Sequence, residues 1–142
     1  MGKSNTPIDK LDAYIIARDL WGELYDVRVT LNKADRITLY PYVLNLCSLI
    51  SADIALAKRI KRKELHYLEK LIGDFEQLKI TLREMLDKNI INSDNIKTRI
   101  FTLIGQMDDN LDKWFNYSSD IFNKKIMKAK SIREKRRLSQ ES

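Results

Sequence analysis

Apolar side chains recur along this chain at intervals of three and four, the spacing of one face of an α-helix, in four separate stretches. The first opens at Thr6-Pro7-Ile8-Asp9, where Thr6 suits an N-cap and Pro7 the first helical position. Ala13, Ile16, Ala17, Leu20, Leu24, Val27 and Leu31 then form its stripe, with Asn32-Lys33-Ala34-Asp35 as the turn that follows. A second helix is predicted from Thr38 to about Ile60, with Pro41 in its first turn, where the missing N–H costs nothing. The third runs from Lys63 to Lys88 on Leu68, Leu71, Ile72, Phe75, Leu78, Leu82, Met85 and Leu86. After a turn at Asn89-Ile90-Ile91-Asn92, capped by Asn92 or Ser93, the fourth carries Ile96, Ile100, Leu103, Ile104, Met107, Leu111, Trp114 and Phe115. Three short connections between four long helices predict an all-α fold, an antiparallel up-down-up-down four-helix bundle. Its domain covers residues 1–120. Beyond Ser118-Ser119 the period weakens, and residues 121–142 read as a basic C-terminal tail, partly disordered.

The second helix differs from the others. Val43, Leu44, Leu46, Cys47, Leu49, Ile50, Ala52, Ile54, Ala55, Leu56 and Ala57 cover nearly its whole circumference, and its polar residues Asn45, Ser48 and Ser51 are small. A helix apolar all round is buried all round. One core covers one side, so the other is expected to meet a second copy, through Leu46, Leu49, Ile50, Ile54 and Ala57.

Charge changes the picture at the C-terminus. Of 26 Lys and Arg and 20 Asp and Glu, residues 121–142 hold eight bases (Lys124, Lys125, Lys128, Lys130, Arg133, Lys135, Arg136 and Arg137) and two acids (Glu134 and Glu141). The tail therefore carries 8 − 2 = +6 and the remainder 18 − 18 = 0. A basic arm on a neutral body suits a polyanionic partner. The run Lys58-Arg59-Ile60-Lys61-Arg62-Lys63 is a second cationic cluster, at the turn after helix 2. Two or three cations would complement the helix dipole there; five exceed that role and suit phosphate contact through counterion release. The candidate nucleic-acid-binding residues are thus Lys58, Arg59, Lys61, Arg62 and Lys63 with the eight tail cations.

Candidate catalytic chemistry is sparse. The chain has one histidine, His66, and one cysteine, Cys47, which lies in an apolar stretch and reads as a buried core thiol. No Gly-rich phosphate loop, Cys pair or multi-His cluster occurs, so no catalytic residue, metal or cofactor is expected. Arg59 and His66 have the spacing of the arginine–histidine pair of HEPN-type ribonucleases, but a basic run supplies an arginine near His66 by chance. Tyr14, Arg18, Trp21 and Tyr25 line one edge of helix 1 and read as a core edge or subunit contact before a base-stacking platform. The opening Met1-Gly2-Lys3-Ser4-Asn5 lacks the apolar stretch of a secretion signal, and no apolar run approaches the ~20 residues of a membrane span. The expectation is a cytoplasmic protein without a membrane partner.

Trp21 through Tyr25, followed by Asn32-Lys33-Ala34-Asp35-Arg36-Ile37-Thr38-Leu39, resembles the helix 1–helix 2 signature of the Avd-like four-helix bundle family. There an aromatic-rich first helix precedes Pro-Lys-Ser-Glu-Arg-Phe-Thr-Leu-Gly and a long apolar helix. The basic turn after helix 2 and the pairing of Ile104-Gly105 with Trp114 fit the same pattern, and the resemblance spans about residues 10–118. Asn32 stands where that family has proline, and Tyr40-Pro41 replaces a glycine-polar pair. Avd is the accessory variability determinant of diversity-generating retroelements; relatives are encoded in intervening sequences of ribosomal RNA genes. The resemblance implies a non-catalytic accessory protein, a homopentamer, that binds a reverse transcriptase and template RNA, with DNA as a further ligand. The alternatives are a bundle that binds only protein partners, and the HEPN-like ribonuclease.

Overall fold

The computed structural model describes residues 11–141, which form four α-helices: α1 Asp12–Val27, α2 Lys33–Arg59, α3 Glu64–Asp87 and α4 Asp94–Glu141. The expected cap and proline at Thr6-Pro7 lie outside the described residues. Each helix packs on its neighbours in the chain, and α1 closes the ring against α4. The fold is the up-down-up-down bundle that the short connections demand.

The stripes predicted for α1, α3 and α4 build the core together with one side of α2. Leu20 and Leu24 of α1, Val43 and Ile54 of α2, Leu71, Phe75 and Leu78 of α3, and Ile100 and Met107 of α4 are all at most 2% exposed. Cys47 is buried, and desolvation pushes its thiol up to about 12, so it packs as a small apolar side chain. Ile91, assigned to a turn, is also core: the chain leaves α3 through Asn89 in the left-handed region (φ 58°), and the Ile90 and Ile91 amides donate back to the Met85 carbonyl at 2.8 and 3.3 Å. Ser93 caps α4, its hydroxyl accepting from the Ile96 amide at 3.4 Å.

Two boundaries differ from the sequence reading. The predicted turn Asn32–Asp35 is the start of α2, because the Asn32 side chain accepts the Asp35 amide at 2.8 Å and caps the helix there. Pro41 therefore lies inside α2, on its exposed side, where the carbonyl it leaves free faces water. The second difference is larger. α4 does not end at Ser118-Ser119 but continues unbroken to Glu141, and residues 120–141 are all exposed. The chain has no glycine or proline after Gly105, and lysine, arginine and glutamate hold a helix well on the surface, so nothing in the tail stops it. Arg137 adds i,i−3 and i,i+4 pairs to Glu134 and Glu141 at 2.6 and 3.3 Å. The last dozen residues, expected to be disordered, are helical to Glu141.

Candidate nucleic-acid interface

The two cationic clusters, separated by some sixty positions of sequence, meet at one end of the molecule. α2 breaks at Ile60, a short 3₁₀ turn covers Lys61–Lys63, and α3 opens at Glu64. α4 passes this same end on its way out, because the buried Ser118 hydroxyl donates to the Glu64 carboxylate. Everything beyond Ser118 projects from the bundle, an arm about 34 Å long at 1.5 Å per residue. The turn cations therefore lie at the foot of the arm that bears Lys124, Lys125, Lys128, Lys130, Arg133, Lys135, Arg136 and Arg137.

Within the turn the five cations are not equivalent. Lys58 is half-buried with its ammonium 5.5 Å above the Trp114 ring, and its pKa is lowered first by desolvation and then by the charge of Lys61. Lys61 pairs with Glu64 at 3.1 Å, in the first turn of α3, where an acid suits the helix dipole. Arg59, Arg62 and Lys63 are exposed and make no ion pair with the described residues. Those three and the arm's cations are the groups that can meet phosphate; Arg137 also pairs with Glu134 and Glu141, but these pairs are exposed and weak. His66 is exposed, with its ring edge-on to Tyr67 at 5.1 Å. Among the described residues no group of acids, Cys and His could hold a metal ion.

The expected oligomer contact needs correction. Leu46, Ile50, Ile54 and Ala57 are at most 2% exposed and belong to the core of a single chain; of the five residues assigned only Leu49, at 36%, reaches the surface. The sequence reading placed the contact on the inward side of α2. The outward side carries Ile37, Pro41, Tyr42, Asn45, Ser48, Leu49, Ala52 and Ala55. Between Arg36 and Lys58 the only charged residue of α2 is Asp53, and it is buried. The outer face of α2 is thus uncharged over its central five turns. By length and composition α2 is also apolar enough to cross a membrane (mean hydropathy 1.4), which the count of uninterrupted apolar residues did not register; 39% of that stretch is buried in the bundle.

Sequence reasoning missed a polar group inside the α2–α3 contact. Asp53 is 1% exposed and accepts from the Lys70 ammonium at 2.9 Å, while Lys70 also donates to Asp74 at 3.2 Å. Burial raises Asp53 to about 6, and the neighbouring Asp74 adds to that, whereas the bond from Lys70 lowers it. Burial wins because the second Asp53 oxygen, Oδ2, has no partner, while Lys70 keeps half its surface in water. The signal was present: Leu46, Ile50, Asp53 and Ala57 step by four, three and four, so a carboxylate occupies the core stripe.

The aromatic line of α1 borders an open groove of about 430 Å³, with Tyr14, Arg18, Trp21, Gly22, Tyr25 and Asp26 on one wall and Ser51 of α2 on the other. Trp21 and Tyr25 are exposed there, and the Arg28 guanidinium lies 4.1 Å over the Tyr25 ring. Compared with known protein families, with curated proteins and with solved structures, the chain matches none of them.

Proposed function

We propose that this chain is a non-catalytic accessory protein that binds nucleic acid through its cationic end and serves a reverse transcriptase in a diversity-generating retroelement. The retroelement and the enzyme partner rest on the resemblance to Avd-like bundles. The nucleic-acid contact rests on one observation: a bundle with no net charge gathers both cationic clusters at a single end. Clustered phosphate contacts gain affinity by releasing counterions, and phosphate contacts carry no sequence information, so binding is sequence-tolerant and strongly salt-dependent. The protein works as a homo-oligomer, five copies by resemblance, joined through the uncharged outer face of α2 centred on Leu49 rather than through the core residues first assigned to it. That face is also what favours the second reading, a scaffold that binds only proteins.

Complementation of retroelement activity tests the assignment. Neutralising Lys58, Arg59, Lys61, Arg62 and Lys63 together abolishes support for reverse transcription while circular dichroism stays helical. Deleting residues 125–142 weakens it, and His66→Ala leaves it intact. Binding to RNA or DNA that is equally tight at low and high salt, or loss of an RNA-cleaving activity in His66→Ala, overturns the proposal. Light scattering that finds a stable monomer at micromolar concentration removes the oligomer.

A further inference from the structure

The arm of α4 has more order than its composition suggests. At 3.6 residues per turn, Lys124, Lys128 and Lys135 fall on one flank, while Lys130, Arg133 and Arg137 fall on another about half a turn away. Between these flanks, on the same side as the buried Ser118, runs an edge formed by Phe122, Lys125, Ala129, Ile132 and Arg136. The opposite edge carries Met127, Ser131 and Leu138 together with the three acids of the arm, Asp120, Glu134 and Glu141. All of these residues are exposed. Two cationic flanks with an acid-free edge between them suit a ligand that presents phosphate on both sides of the helix at once. A flat phosphate surface, or one strand, would use one flank only.

We infer that the arm inserts lengthwise into the major groove of B-form duplex DNA, its inner edge toward the groove floor and its two flanks toward the two phosphate backbones. This rests on the reading of this end as a nucleic-acid surface and narrows it to one form of duplex. The B-form major groove, about 12 Å wide, admits an α-helix. The A-form groove of duplex RNA is deep and too narrow for one. The inner edge faces the side of the arm where α3 begins, so a duplex seated there also meets Arg59, Arg62 and Lys63 at the arm's foot. Ala129 and Ile132 offer apolar contact to thymine methyl groups, which keeps base preference weak beside the phosphate contacts.

Fluorescence anisotropy of the full chain with labelled duplex DNA of about two helical turns, and with duplex RNA of the same sequence, tests this directly. The DNA binds at least about tenfold more tightly than the RNA. Two variants, one with Lys124→Ala, Lys128→Ala and Lys135→Ala and one with Lys130→Ala, Arg133→Ala and Arg137→Ala, lose DNA affinity to a similar extent. Each lowers the slope of log affinity against log salt by roughly 2–3, while duplex RNA affinity changes little. Alanine is the strongest helix former, so neither variant loses affinity by melting the arm. Equal affinity for the two duplexes, or a loss confined to one flank, overturns groove insertion and leaves the cationic end as a nucleic-acid surface. No binding to either duplex at low salt overturns that broader reading and this inference with it.

Discussion

The two halves of α4 are one helix in two environments. From Asp94 to Ser118 it is held by neighbours on its inner side, with Ile100, Met107 and Leu111 in the core. From Asp120 onward it touches water all round, and its backbone is kept helical by propensity and a few side-chain pairs alone. The same element is therefore fixed by tertiary burial in one half and by local preference in the other. Isolated helices of this length are marginal in water, so the outer half is the part whose order a ligand can strengthen.

That contrast is open to attack by substitution, and the largest effects belong in the body. Phe75→Ala removes a side chain 1% exposed at the centre of the bundle and costs about 3–5 kcal/mol. Ile132→Ala, in the arm, leaves the urea midpoint unchanged within error. If the two variants unfold alike, the arm is packed in solution and the division of α4 is wrong. A smaller effect separates buried from surface charge within the body. Asp53 binds its proton more tightly folded than unfolded, about 6 against an ordinary value of 3.8, so its contribution favours the folded state most below pH 4 and fades as pH rises through 6. Asp53→Asn should flatten that part of the stability–pH curve, read as the urea midpoint against pH. A variant curve parallel to the wild type shows that Asp53 titrates normally. The smallest effect is at the junction itself. Ser118→Ala breaks the bond to Glu64 and costs about 1 kcal/mol, a fall of a few degrees in Tm. Stability unaltered by this change means that α4 is held at its exit by apolar contacts alone.

The body was readable from spacing because burial acts on alternation at three and four, and such a stripe has one geometric meaning. The core residues of α1, α3 and α4 all lay on predicted stripes. The ends of elements were less readable, since they turn on single hydrogen bonds. Asn32 outweighed Pro41 as the marker of α2's start by capping the Asp35 amide. On α2 the difficulty was excess: where nearly every position is apolar, the stripe cannot say which side is inward, and four of the five residues assigned to a partner proved to be core. The cationic residues were found by counting, and the up-down-up-down order already brings turn and tail to one end; which side of α4 faces the turn follows from the Ser118–Glu64 contact, which no local pattern announces.

The continuity of α4 also has a mechanical side. A 48-residue helix is about 72 Å long, and here nearly half of it overhangs the bundle. No glycine, proline or loop interrupts it at the exit point. A tilt of only 10° there carries the tip by about 6 Å, on an overhang of about 34 Å. Conversely, a load applied at Arg136 or Arg137 arrives as torque on Trp114 and Leu111, where the helix is gripped. The chain is in effect a cantilever clamped in a four-helix vice.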